Sequence, residues 1–188
     1  MPQLIVFNHV SLDGYFTGSN GGLTWAYQGT DDPEYSAFVA GNASGGGQLL
    51  FGRVTYEMMA RYWPSPEASR HSPAVAEGMN RMTKTVFSRT LESAPWSNTR
   101  LIRGDLLTEV RRIKSEPGDG IAILGSGSIV AQLAAAGLID EYQFVIDPVA
   151  LGAGRTMFAG LPAPLQFTLT RSRTFANGKT FLCYRPAA

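Results

Sequence analysis

The sequence predicts an α/β protein in three layers: a central, mostly parallel sheet of about eight strands, helices on both faces, and an antiparallel hairpin at the C-terminal edge. Three observations carry this. Short apolar or alternating runs of strand length recur about eight times along the 188 residues. Helix-patterned stretches separate the earlier runs, an alternation that places parallel strands between covering helices. Asn177-Gly178 lies between the last two runs, where both residues can take the positive φ of a tight hairpin turn.

The strand segments are residues 3–7, 48–51, 84–88, 99–102, 121–124, 141–146, 165–170 and 180–184, and the helix segments are 33–43, 54–62, 74–81, 105–115 and 128–136. The helix from Asp105 is the best specified. Asp105 is a suitable N-cap, Leu106, Leu107, Val110 and Ile113 share one face, and Pro117-Gly118 ends it. The helix before Gly137 has its own stop signal, with Gly137 suited to the left-handed C′ position and Leu138 placed to pack back on Leu133. Residues 43–47, Ala-Ser-Gly-Gly-Gly, read as a flexible helix-to-strand loop, so residues 1–188 are expected to form one domain.

Composition excludes several function classes. A net charge of +1 without any basic run leaves no electrostatic footprint for nucleic acid or an anionic membrane. Cys183 is the single cysteine, so no intramolecular disulfide forms, and one thiol with His9 and His71 is too sparse for a zinc site. The chain enters the apolar run Leu4-Ile5-Val6-Phe7 directly, and no apolar run reaches membrane-spanning length. A soluble, cytoplasmic protein acting on a small molecule is the expectation.

The chemistry-bearing motifs sit at strand ends. Ile121 to Leu124 is an apolar run that stops at Gly125-Ser126-Gly127-Ser128 and opens a helix. Such a turn aims unpaired backbone N–H groups and the positive helix end at an anion, although the same residues also make ordinary strand-to-helix turns. The spacing matches neither a dinucleotide fingerprint nor an ATPase phosphate loop. Phe51-Gly52-Arg53-Val54-Thr55 repeats the pattern, with Arg53 either a charge-assisted phosphate contact or a solvated helix residue, and Thr55 either a ligand hydroxyl or a cap. Val86-Phe87-Ser88-Arg89-Thr90 places hydroxyls and a guanidinium past a third strand, a grouping suited to a ribose 2′-phosphate. Three such ends are what a crevice beyond a parallel sheet requires.

Residues 8–16 (Asn-His-Val-Ser-Leu-Asp-Gly-Tyr-Phe), 50–57 (Leu-Phe-Gly-Arg-Val-Thr-Tyr-Glu), 86–89 (Val-Phe-Ser-Arg) and 124–128 (Leu-Gly-Ser-Gly-Ser) together carry a resemblance. The chain resembles the dihydrofolate-reductase-like family that includes the C-terminal reductase domain of the bifunctional riboflavin-biosynthesis deaminase-reductase, over nearly its whole length and in the same order. The resemblance implies a sheet of about eight strands, NADPH as hydride donor and a homodimer. By the same resemblance Gly52, Arg53, Val54 and Thr55 hold the pyrophosphate side of NADPH, and Ser88 with Arg89 takes the adenosine 2′-phosphate. Gly125, Ser126, Gly127, Ser128 and Ile129 meet the phosphates or the nicotinamide half from the opposite strand, and residues 11–14 form a loop over nicotinamide and substrate.

A proton would come from Asp13 in that loop, from Asp32 at the start of the helix at 33–43, or from an ordered water. Each carboxylate has a plain alternative, an Asp-Gly turn for Asp13 and helix-dipole complementarity for Asp32, as for its neighbours Asp31 and Glu34. A participating acid is expected to have a pKa nearer neutrality than a free carboxylate. Trp25 resembles the loop tryptophan of folate reductases, as a substrate-pocket wall or as packing. His9 reads either as a ligand contact or as a packed loop histidine.

Two departures bear on substrate. The riboflavin reductase domains usually carry an acidic residue just before the glycine turn, where this chain has Leu124, and one cysteine cannot build the deaminase half. The expected function is NADPH-dependent reduction of a C=N or C=O bond in a small heteroaromatic substrate, of the 5-amino-6-(5-phosphoribosylamino)uracil reductase type. The alternative is a nucleotide-binding or regulatory module without turnover.

Overall fold

A computed structural model describes residues 1–27 and 31–187. The elements run β1 (Leu4–Ser11), β2 (Tyr15–Gly18), a 3₁₀ turn (Thr24–Tyr27), α1 (Pro33–Ser44), β3 (Gln48–Gly52), α2 (Arg53–Tyr62), α3 (Pro66–His71), α4 (Pro73–Arg81), β4 (Thr83–Phe87), β5 (Thr99–Ile102), α5 (Leu106–Ser115), β6 (Ile121–Leu124), α6 (Gly127–Ala135), β7 (Glu141–Asp147), β8 (Gly154–Thr156), β9 (Phe167–Thr174) and β10 (Thr180–Pro186). Eight strands form one sheet in the order β5-β4-β3-β6-β1-β7-β10-β9. Neighbours from β5 to β7 are parallel, and β10 and β9 close the edge antiparallel. The sequence reading of an eight-stranded, mostly parallel sheet with an antiparallel edge hairpin holds.

Local signals behave as their chemistry dictates. Asp105 Oδ1 accepts the Thr108 N–H at 2.9 Å and starts α5, while the Leu138 N–H donates to the Leu133 carbonyl at 3.0 Å and closes α6. The differences lie where periodicity is short or polar. β1 continues to Ser11 because residues 8–11 pair with residues 144–147 of β7, although polar Asn8 and His9 interrupt the apolar run. The antiparallel pair β2–β8 and the six-residue α3 are too short to show a period, and only pairing or a cap such as Ser65 defines them.

The two faces of the sheet are packed differently. On one, Leu4, Val6, Leu50, Ile121 and Ile123 lie at most 2% exposed in a continuous core with Val110 and Ile113 of α5 and Val130 and Leu133 of α6. On the other, two clusters stand apart. Leu49, Phe51 and Val86 pack with Tyr56, Trp63 and Met79 from α2 to α4, and Val145, Phe181 and Cys183 pack with Tyr35 and Phe175. Between them Ile5, Phe7, Ala122 and Leu124 are only half-buried, although central strands of a parallel sheet are normally covered on both sides.

Helix α1 bridges this gap and is held at its ends. At its start Asp32 Oδ1 accepts the N–H groups of Glu34 and Tyr35 at 2.9 and 3.1 Å, and Oδ2 accepts that of Asn177 in the hairpin turn at 3.1 Å. Phe38 packs on Phe175 and Phe181. At its end α1 meets α4 so closely that a Cβ on Gly78 would lie 2.3 Å from the Ala43 carbonyl oxygen, which makes glycine necessary there. The part of α1 that lines the gap carries Ser36, Ala40 and Gly41, residues too small to reach down and seal the sheet.

Candidate functional site

The gap opens into a cleft of about 1440 Å³ that runs from the C-terminal ends of β3 and β6 to the space beneath α1. A pocket for one drug-sized ligand spans roughly 300–1,000 Å³, so this cleft has room for two molecules side by side.

Its mouth is built by two strand-to-helix turns locked to each other. The Gly52 N–H donates to Ser126 Oγ at 2.8 Å, Ser126 Oγ donates to the Leu124 carbonyl at 3.2 Å, and the Ser126 N–H donates to Thr55 Oγ1 at 3.1 Å. From β1, Asn8 Oδ1 accepts the Gly125 N–H at 2.6 Å. Gly125 and Ser126 both have φ of 58°, a conformation that favours glycine, and a Cβ on Gly125 would lie 2.7 Å from Thr55 Oγ1, so at 125 space requires glycine.

The helix starts reveal what this clasp presents. Asp32, Ser65 and Asp105 cap α1, α3 and α5 through their side chains, and α4 begins with Pro73, which has no N–H. The two helices at the mouth, α2 and α6, have no side-chain cap bond and no acidic residue in their first turns. Two positive helix ends therefore face one cleft, an arrangement that favours an anion. Arg53 lines the mouth, its side chain 46% exposed and 3.1 Å from Glu57, and Arg155 of β8 borders the same opening.

Deeper in, His9 and Tyr35 reach the cleft wall. His9 Nδ1 lies 2.7 Å from Asp147 Oδ2, and His9 Nε2 lies 3.1 Å from the Tyr35 hydroxyl. With a neutral imidazole, Nδ1–H donates to Asp147 and Nε2 accepts the Tyr35 O–H. Lys179, from the hairpin, donates to Asp147 Oδ1 and, at 3.1 Å, to the Ala26 carbonyl; Lys179 and Asp147 are each 1% exposed. Burial, then the nearby Asp147 charge and Tyr27, push the Tyr35 pKa up, so the phenol stays protonated.

The structure brings together part of the sequence-derived site. Gly52, Arg53, Val54, Thr55, Gly125, Ser126, Gly127 and Ser128 all line the mouth, and Ile129 packs beneath it, its side chain 3.4 Å from where a Gly52 Cβ would stand. The hydroxyls of Thr55 and Ser126 join the two turns, so what they offer a ligand is backbone. Ser88 and Arg89 follow Phe87, the β4 partner of Gly52, but neither lines the cleft, and Ser88 Oγ accepts the Leu91 N–H of its own turn at 2.9 Å.

The structure places three more of the expected residues outside the cleft lining. Trp25 is buried but lies outside the cleft, its indole N–H 3.3 Å from the Gly22 carbonyl, and Ala26 and Tyr27 take the wall position. Asp13 accepts from Ser11 Oγ at 2.6 Å and from the Gly152 and Leu151 N–H groups, which hold its pKa at about 2. Asp32 is the α1 cap, its pKa lowered by the N–H groups of Tyr35, Asn177 and Glu34. Both carboxylates therefore stay ionised at neutral pH, and neither lines the cleft. The residues missed were Asn8, Tyr35, Asp147 and Lys179. Asn8 stood in the quoted motif, whereas the Asp147–Lys179 contact spans 32 residues and arises only through the β7–β10 pairing.

Comparison with known proteins agrees with this architecture. The chain is 28% identical over 184 residues to the uncharacterized protein YyaP of Bacillus subtilis (strain 168), covering 97% of this chain and 94% of that protein. It superposes at a TM-score of 0.74 on a protein of Shewanella sp. PV-4 assigned to riboflavin biosynthesis, with 22% identity and 99% of each chain covered. It superposes at 0.64 on dihydrofolate reductase of Enterococcus faecalis, solved with NADP(H), with 13% identity and 99% and 97% covered. The fold is therefore dihydrofolate-reductase-like. The sequence profile of the RibD C-terminal domain matches residues 2–181, and the chain belongs to that reductase-type family.

Proposed function

We propose that the protein is an NADPH-dependent reductase that transfers hydride to a C=N or C=O bond of a small molecule. The observation that carries this is the pair of uncapped helix starts, α2 and α6, clasped through Gly52, Ser126 and Thr55 and aimed at a cleft large enough for cofactor and acceptor. The residues fit a dinucleotide. Backbone N–H groups at the starts of both helices meet the phosphates, Arg53 adds a charge, and Gly125, without a Cβ, lets the two turns close on each other at Thr55. Ser88 and Arg89, which follow the β4 partner of Gly52, take the 2′-phosphate that distinguishes NADPH from NADH. A bound nicotinamide supplies the hydride, and the protein orients the two molecules and excludes water.

A thermal-shift titration with NADPH and NADH tests the reading, because a ligand at a hundred times its Kd stabilises the native state by about 2.7 kcal/mol. Stabilisation by NADPH that Arg89→Ala weakens more than stabilisation by NADH is the expected result. No shift with either nucleotide overturns it. The ionised state of Asp13 and Asp32 favours one second reading, a nucleotide-binding module without turnover, which predicts the shift but no oxidation of NADPH by any pterin, aminopyrimidine or carbonyl acceptor.

A further inference from the structure

The charges that line the cleft stand at its two ends. Arg53 and Arg155 are at the mouth, and Asp119 precedes β6 at the opposite end of that strand. Among the described residues no Lys, Arg, Asp or Glu lines the stretch between them, where the walls are Ile5, Phe7, Val39, Leu49, Ala122 and Leu124. The nearby buried cations are already committed. Lys179 is bound to Asp147 and the Ala26 carbonyl, and Lys84 donates to the carbonyls of Met79, Asn80 and Met82 at 2.6 to 3.1 Å. A phosphate or carboxylate carried under α1 would lose its hydration and gain no partner, a cost that apolar walls cannot offset. Met79 and Met82, packed behind Leu49, add polarizable sulfur, which suits an aromatic body. Polar side chains interrupt these walls at Asn8, His9, Ser36, Gln48 and His71 as well as at Tyr35, whose hydroxyl is held by His9.

We propose that the gap beneath α1 binds an uncharged, largely apolar aromatic molecule with a polar atom that Tyr35 reads, and that it rejects a phosphate-bearing pyrimidine. The proposal rests on the reductase reading for calling this molecule the hydride acceptor; the binding itself does not depend on it. Asp147 and Lys179 hold the His9 ring, and the ring in turn fixes the Tyr35 hydroxyl, so specificity at the apolar gap is set by a buried charge pair that never touches the ligand.

Two probes with the same ring system isolate the charge: N-phenyl-1-naphthylamine, which is neutral, and 8-anilinonaphthalene-1-sulfonate, which is anionic. Titrated into the protein without nucleotide and followed by fluorescence, the neutral probe should bind one per chain and at least about tenfold more tightly than the anionic one. Ala122→Phe, filling the gap from β6, and Val39→Trp, filling it from α1, should each abolish that binding. Circular dichroism melts show whether each variant is folded. In displacement of the neutral probe, 2-naphthol should exceed naphthalene by about tenfold in wild type, as one net hydrogen bond allows, and by little in Tyr35→Phe. Equal binding of the two fluorescent probes, or binding of the neutral one that survives substitution in a folded variant, overturns the proposal. A protein that binds the neutral probe as expected but is not stabilised by NADPH retains the pocket and loses the reductase reading.

Discussion

The central strands show two different faces to the protein. Along β6, Ile121 and Ile123 point to one side and are sealed by α5 and α6, while Ala122 and Leu124 point to the other and stay half-buried beneath α1. The same four residues thus contribute alternately to a closed core and to a cleft. The closed face is held by continuous apolar packing. The open face is held at its borders by polar latches, Asp32 to Asn177 and Lys179 to Asp147, and by the Gly78–Ala43 approach. A helix fastened at its ends can stand away from a sheet, and the space it leaves is where binding chemistry fits.

If latches hold the open face, the largest effect should follow from breaking the most buried one. Lys179→Met leaves Asp147 in the interior without its cation and should cost about 3–5 kcal/mol in chemical denaturation. It should also loosen α1, read as faster hydrogen exchange over residues 33–44. Unchanged exchange there would mean that the hairpin lysine does not fasten the helix.

The contrast between faces is sharpened by neighbouring truncations. Ile123→Ala, in the closed core, should cost about 2–5 kcal/mol. Leu124→Ala, one residue further on and half-buried, should cost about 1 kcal/mol, roughly half the value for a fully buried leucine. Equal costs would show that the open face is as tightly packed as the closed one.

The smallest effect concerns the loop from residues 11 to 14, pinned by Asp13 to the Leu151 and Gly152 N–H groups. The folded pKa of Asp13, about 2, lies below its ordinary 3.8, so the ionised carboxylate stabilises the fold above the ordinary value, and that contribution fades as pH falls toward 2. Asp13→Asn should lower stability slightly at neutral pH and flatten the loss of stability in this acid range, measured by acid titration of the unfolding midpoint. A variant with the wild-type acid profile would show that the carboxylate is not what fastens the loop.

Much of the site was legible because local chemistry encodes it. Gly52 and the Gly-Ser-Gly-Ser turn at 125–128 announced a strand giving way to a helix, and both turns meet at the mouth. Ser88-Arg89 carried the same kind of signal, yet these residues are not among those lining the cleft, since a strand end says nothing about where its side chains finally point. Asp13 and Asp32 looked equally suited to chemistry or to structure, and only the fold shows the structural use of each, through N–H partners from the loop after β7 and from the hairpin turn.

The sequence by itself determined the main sheet, the caps at Asp105 and Gly137, and the existence of the C-terminal hairpin, because apolar period and cap chemistry act within a few residues; the hairpin turn itself is wider than the two residues Asn177-Gly178, running from 175 to 179 with positive φ at Gly178 and not at Asn177. Only the tertiary structure decided that α1 stands off β1 and β6, that His9, Tyr35, Asp147 and Lys179 form one network, and that charge is confined to the ends of the cleft. Those properties depend on contacts between distant segments, several of them more than a hundred residues apart, where burial and hydrogen-bond satisfaction act on the whole chain at once.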